Sequence, residues 1–228
     1  MVSNFQGISA DLSVFLFVLT AFALFTALVA ALVLGALGRR RQGRTAATLG
    51  IAWALLYTGV VLGFALTSTP RVLAEKQVKH FCDVHCNLAY SVAGVERRAS
   101  IGGIGAKNGE FWIVALETYF DPHTVLKDRP PGPITPAARV AELMLPSGKS
   151  YGRSRRGEEA LAKGLGAQPR LTTPLAPGQS YVTHMVFDLP AAAAPLLWLH
   201  DQDPIGRLLI GNEESPLHQR VLFRLSVQ

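Results

Sequence analysis

The sequence predicts a two-helix transmembrane hairpin followed by an all-β antiparallel sandwich, and three observations predict it. Two uncharged apolar runs, residues 12–37 and 46–67, are each long enough at about 1.5 Å per residue to cross a hydrocarbon core of ~30 Å. The short loop between them holds Arg39, Arg40, Arg41 and Arg44, the basic cluster of a turn retained in the cytoplasm. Beyond residue 84 the pattern changes from unbroken apolar to alternating, with breaker residues between the runs.

The first run is preceded by one charged residue, Asp11, and by no Lys or Arg. A cleaved signal peptide begins with positive charge and carries a 7–15-residue apolar stretch, so an uncleaved anchor is expected, with the mature protein beginning at or near Met1. The arginine loop then lies inside the cell and both ends of the chain lie outside, in a multi-pass protein of a bacterial inner membrane. Gly59 and Gly63 in the second run form a small-x-x-x-small pattern that admits a close helix backbone. Two partners fit it: the first span, whose Ala23, Ala27, Ala30, Ala31 and Gly35 are also small, or a helix of another subunit. Trp53 and Tyr57 share a helix face near the cytoplasmic end and are expected to anchor at the headgroups. Neither run holds Asp, Glu, Lys, Arg or His, which argues against an ion or proton pathway.

The expected organisation is therefore a hairpin over 1–69, a linker over 70–83 and a β-domain over 84–228. The formal charge of the whole chain is +6. Setting aside the four loop arginines and Asp11 leaves 18 basic against 15 acidic residues, a spread-out excess of +3 and no nucleic-acid footprint. Arg153, Arg155 and Arg156 are the one cluster, read as a solvated loop or a contact for anionic headgroups or an acidic partner.

In the β-domain, Val84, Cys86, Leu88, Tyr90 and Val92 alternate with polar residues as in a half-buried strand. Further strands are expected over 111–120, 139–145, 180–188, 196–200, 207–210 and 220–227, with a short helical insertion over 158–163. Gly102-Gly103, Pro130-Pro131-Gly132-Pro133, Pro146-Ser147-Gly148 and Pro177-Gly178 separate them. About seven short strands with little helix between them predict a sandwich.

The stretch Leu175-Ala176-Pro177-Gly178-Gln179-Ser180, followed by Val186-Phe187-Asp188-Leu189-Pro190, resembles a signature of bacterial extracytoplasmic immunoglobulin-like domains of unknown function, relatives of the mycobacterial secreted immunoprotective antigen. Leu145-Pro146-Ser147-Gly148-Lys149-Ser150-Tyr151 is similar to their strand, glycine turn and aromatic. The resemblance covers about 84–228. It implies an immunoglobulin-like fold and a place on the outer face of a membrane, with no activity to carry over.

His80, Cys82, Asp83, His85 and Cys86 form the one reactive cluster. Outside the cytoplasm Cys82 and Cys86 are expected to pair, which requires a turn, since an extended strand would hold them about 13 Å apart at ~3.3 Å per residue. Unpaired buried thiols, or a metal site, are the alternatives. The order Cys-Asp-Val-His-Cys is not the C-x-x-C-H of haem attachment. A two-helix anchor before a β-sandwich is similar to cytochrome c oxidase subunit II, whose copper loop lies late in its domain and not at its start, so no metal or other cofactor is assigned. His200, Asp201 and Asp203, with Glu213 and Glu214, form a weak candidate cation site or acid pair. His123 and His184 are single imidazoles, and no Ser lies in a G-x-S-x-G elbow.

These readings lead to a non-enzymatic accessory or scaffold subunit of a larger respiratory, photosynthetic or secretion complex. Its expected partners are the lipid bilayer and other integral membrane subunits, with no nucleic acid. The alternative is an extracytoplasmic sensor or carrier that binds a ligand or metal near residues 80–86.

Overall fold

The computed structural model describes residues 2–74, 76–82, 86–124, 132–191, 193–201 and 204–227, which divide into two compact units. The helical unit comprises residues 5–69 and 204–219. The β unit comprises 2–4, 70–201 and 220–227.

In the helical unit α1 spans Ala10–Ala36 and α2 spans Arg40–Thr67. The Ser9 side chain accepts the Leu12 N–H and Asp11 sits in the first turn, so a polar cap and a favourable charge start α1 ahead of the apolar run. Gly38, at φ +76°, makes the reversal possible in a three-residue turn. Helix α2 therefore begins at Arg40, and Arg40, Arg41 and Arg44 belong to its first turns and not to a loop. Only 6% of the most apolar stretch of α1 and 11% of that of α2 is buried. Both helices thus present apolar side chains such as Phe22, Phe25, Leu32, Leu55 and Leu66 outward.

Residues 207–210, expected as a strand, instead belong to a 3-10 turn, Pro204–Leu208, and the bend that follows it. Pro204 lacks an N–H and Gly211 adopts φ +73°, which together favour a compact reversal over a ladder. Gly211 lies so close to the chain at Gln6 that an added Cβ would stand 2.5 Å from the Gln6 carbonyl. The Gln6 N–H donates to the Gly211 carbonyl at 2.8 Å, and the Gln219 N–H donates to Ser68 Oγ at 2.8 Å.

The β unit begins with β1 (Val2–Ser3), β2 (Arg71–Leu73), β3 (Lys79–Phe81) and β4 (Leu88–Arg98). The small hairpin β5 (Ser100–Ile101) and β6 (Ile104–Gly105) turns at Gly102-Gly103, and β7 (Gly109–Phe120) and β8 (Arg139–Met144) follow. After β9 (Ser150–Tyr151) come helix α3 (Arg155–Leu165), β10 (Ser180–Pro190), β11 (Leu196–Asp201) and β12 (Val221–Arg224). One sheet has the order β1-β3-β4-β7-β10 and the other β2-β12-β11-β8-β9. The pairs β1–β3 and β2–β12 are parallel, so both sheets are mixed and not wholly antiparallel as expected. Both parallel pairs involve strands of two to four residues, too short for a period-two pattern to register. Two of them, β2 and β3, arise from the segment expected to be a linker. Residues 84 and 85 of the expected 84–92 strand lie outside the described residues, and pairing starts at Leu88.

The two sheets share one buried cluster. Leu116, Phe120, Met185 and Phe187 come from the first sheet, and Leu143, Leu197, Leu199 and Phe223 from the second. Strand β7 is apolar on both sides for a definite reason. Trp112 and Val114 face this cluster, whereas Phe111 and Ile113 join Val186 beneath Ala160 and Leu161 of α3. Helix α3 is longer than the expected turn: Ser154 Oγ accepts the Gly157 N–H, Glu158 sits in the first turn and Gly166 ends the helix at φ +80°.

Candidate functional site

Three places in the β unit hold the reactive residues. At the first, Cys82 and Cys86 form a disulfide with Cα atoms 4.0 Å apart, so the chain curls between β3 and β4. The Cys82 N–H, buried, donates to Asn4 Oδ1 at 3.0 Å, and His80 Nδ1 lies 3.4 Å from the Cys86 carbonyl. Asp83 and His85 lie outside the described residues. Bonding removes both thiolates as metal ligands, and among the described residues no three His, Cys, Asp or Glu side chains gather into a metal-binding group.

The second place is a polar pole in the core, which sequence reasoning missed. Lys79 on β3 is fully buried, and its ammonium donates to the carbonyls of Leu199 at 2.8 Å and Val221 at 3.3 Å. The β11–β12 ladder ends at the pair Trp198–Leu222, so Lys79 crosses between the sheets to satisfy the two carbonyls just beyond that end. Beside it, Arg139 pairs with Asp201 across β8 and β11, with its guanidinium 4.4 Å from the Phe81 ring centre. Asp201 is thus the ion-pair partner of Arg139. His200 stacks on Trp198, and the Arg220 guanidinium lies 3.8 Å from the centre of the same indole. Glu213 and Glu214 belong to the helical unit, where the Glu214 N–H donates to Asn212 Oδ1, and Asp203 lies outside the described residues. A lysine two residues before a phenylalanine, in a segment without visible period, carries no signal of burial.

The third place is an open cleft of about 500 Å³ between α3, residues 168–172, the start of β8 and the middle of β10. Arg139, Arg153, Arg170, His184, Thr172 and Glu158 contribute to its walls. His184 Nδ1 pairs with Gln168 Oε1 at 2.7 Å and Thr183 donates to the Pro169 carbonyl at 2.9 Å, which fixes the loop against β10. Arg153 pairs with Glu158 and Arg155 with Glu159, so the expected basic cluster is largely neutralised on the surface of α3. His123 lies in a short 3-10 turn where its N–H donates to Asp121 Oδ1.

In the helical unit the small residues divide into two sets. A Cβ on Gly43 would stand 3.0 Å from the Ala31 carbonyl, and one on Gly50 would stand 3.0 Å from the Ala27 Cβ, so these glycines bring α1 and α2 together. Gly59 and Gly63 have nothing within 4 Å. At 100° per residue Gly59 lies nine residues and half a turn of phase beyond Gly50, which places it on the opposite side of α2. That opposition was readable in the sequence; which of the two faces meets α1 was not. Trp53 donates its indole N–H to Thr20 Oγ1 at 3.4 Å and Tyr57 its hydroxyl to the Leu208 carbonyl at 2.9 Å, so both aromatic side chains are engaged inside the unit.

No family model matches the chain, and no curated protein does. Among solved structures, a secreted protein from Mycobacterium tuberculosis, MPT63, is similar at 11% identity and a TM-score of 0.40, over 69% of this chain and 99% of that one. A conserved hypothetical protein from Bacillus anthracis is similar at 14% identity and a TM-score of 0.38, over 50% of this chain and 80% of that one. Both are distant resemblances.

Proposed function

We propose that this chain is a membrane-anchored accessory subunit of a larger bacterial membrane complex, held by the α1–α2 hairpin and offering an immunoglobulin-like sandwich outside the cytoplasm for protein–protein contacts. The bare face of α2 carries this reading. Gly59 and Gly63 lie exposed beside Leu55, Leu56 and Leu66, opposite the buried Val61 and Ala65. A small-x-x-x-small ridge favours a close-packed helix over acyl chains, because backbone-to-backbone approach gains van der Waals contact that mobile lipid does not match. The outward apolar side chains of both helices support a place in lipid, since exposing them to water costs about 25 cal/mol per Å². Arg39, Arg40, Arg41 and Arg44 at one end support an inward-facing turn, and the Cys82–Cys86 bond supports an oxidising compartment for the β unit. Two sheets on one core support the sandwich. The role is contact and placement, without catalysis.

The test is Gly59→Ile with Gly63→Ile in the full chain, extracted from its native membrane in mild detergent and sized on a native gel. Wild type is expected to migrate with a larger assembly and the double variant as the lone subunit, at equal abundance in the membrane. A wild-type chain that already runs as a monomer overturns the proposal.

The cleft favours a second reading, in which the β unit carries a small anionic ligand beside Arg170, since Arg153 and Arg139 are held by Glu158 and Asp201. A rise in melting temperature with inorganic phosphate or a short carboxylate, lost in Arg170→Ala, is its expected signature.

A further inference from the structure

The depth of one contact in the helical unit sets where residues 205–208 lie. The Leu208 carbonyl accepts the Tyr57 hydroxyl at 2.9 Å. Tyr57 is thirteen residues beyond Arg44 and seventeen beyond Arg40, or about 20 Å and 26 Å along α2 at 1.5 Å per residue. Both lengths are shorter than a hydrocarbon core of ~30 Å, and tilt shortens their projection further. With the arginines at the inner surface, the Leu208 backbone therefore sits below the outer boundary of the hydrocarbon.

We propose that residues 205–208 dip into the outer leaflet, with Ile205 and Leu208 seated among its acyl chains. This rests on the membrane-spanning reading of α1 and α2. Irregular backbone survives at such depth only when its polar groups are satisfied by protein, and here the helices supply them. The Tyr57 hydroxyl donates to the Leu208 carbonyl, and Ser215 Oγ, further along the chain, donates to the Leu209 carbonyl at 2.6 Å. Ser13, 26 residues before Arg39 and so about 39 Å along α1, donates its Oγ to the Ile210 carbonyl at 2.9 Å where the chain rises to the outer surface. Ser13 is completely buried, so it serves this contact and not solvent. Ile205 and Leu208 are 48% and 54% exposed, an apolar pair turned outward at the level of the lipid. Arg207 between them is exposed and long enough to reach a phosphate while its stem stays apolar.

The test places a bimane on a single added cysteine in the full chain, alkylated without reductant so that Cys82–Cys86 stays bonded. The chain is reconstituted in phosphatidylcholine–phosphatidylglycerol vesicles. Quenching is compared between aqueous iodide and a lipid nitroxide just below the ester groups. Ile205→Cys and Leu208→Cys are expected to lose emission to the nitroxide and keep it against iodide, whereas Lys163→Cys on α3 responds to iodide. Phe25→Cys, in the middle of α1, monitors the hairpin. Iodide quenching at both 205 and 208, with Phe25 shielded from iodide, overturns the dip and leaves the hairpin standing. Iodide quenching at Phe25 as well overturns the hairpin reading itself. Labels at 205 and 208 shielded from both quenchers mean that protein covers the segment, which also overturns the proposal.

Discussion

Asn4 Oδ1 accepts the backbone N–H of Cys82 at 3.0 Å, which joins the chain ahead of α1 to the disulfide that follows β3. Cys82 is 3% exposed, so no water stands ready to replace that acceptor. Asn4→Ala is expected to cost about 1–3 kcal/mol, the penalty of an orphaned buried donor, read as a lower melting temperature of the full chain in detergent. Asn4→Asp, which keeps an acceptor, should recover most of the loss.

Reduction of Cys82–Cys86, or Cys82→Ser with Cys86→Ser, opens a loop with three intervening residues. Chain-entropy accounting for so short a loop gives a loss of about 2 kcal/mol. Mass spectrometry of the alkylated, unreduced chain should find no free thiol, and the double serine variant should melt at a lower temperature without losing its β signal in circular dichroism.

Lys79 is the buried cation that joins the two sheets. Lys79→Met keeps the apolar stem but leaves the Leu199 and Val221 carbonyls without this donor, at about 1–3 kcal/mol for each group left unsatisfied. Lys79→Ala adds a cavity and should unfold at a lower denaturant concentration still. A Lys79→Met variant as stable as wild type would show that these carbonyls find other partners.

Two glycines in α3 should respond in opposite directions. A Cβ on Gly157 would stand 2.5 Å from Val186 Cγ1 and 3.2 Å from the Phe111 ring, so Gly157→Ala is expected to destabilise by about 1–3 kcal/mol through overpacking. Gly164 has nothing within 4 Å, and Gly164→Ala should stabilise by about 0.5–1 kcal/mol through helix propensity. Paired thermal melts decide both signs.

Burial raises the Tyr181 hydroxyl above its ordinary value of 10.0, although hydrogen bonding with Thr118 opposes the shift. The folded state thus favours the neutral phenol. Its contribution is fully present below the unfolded value and is lost as pH rises through the folded one. Melting temperatures followed into the alkaline range should fall faster in wild type than in Tyr181→Phe. Parallel curves would remove Tyr181 from the alkaline transition.

The long elements were legible because their signals are local. β7, β10 and β11 fall within two residues of the ranges read from alternation, and α1 and α2 follow from length and apolarity alone. Short elements were not. β2 and β3 hold three residues each, fewer than two periods of a strand, and exist because an open edge was within reach of a passing chain. Residues 207–210 have a strand's composition, yet Pro204 and Gly211 bend the chain and the helices supply partners for its carbonyls.

What the amino-acid order alone determined is the hairpin, the β-rich remainder and the proximity of Cys82 and Cys86, since each rests on neighbours in sequence. Tertiary structure decided that Gly43 and Gly50, and not Gly59 and Gly63, seat α2 on α1. It also decided that Lys79 is buried and that the segment after β11 joins the helices. These outcomes depend on which groups meet across distances of tens to hundreds of residues. There the requirement to pair every buried donor and acceptor, more than any local preference, selects the arrangement.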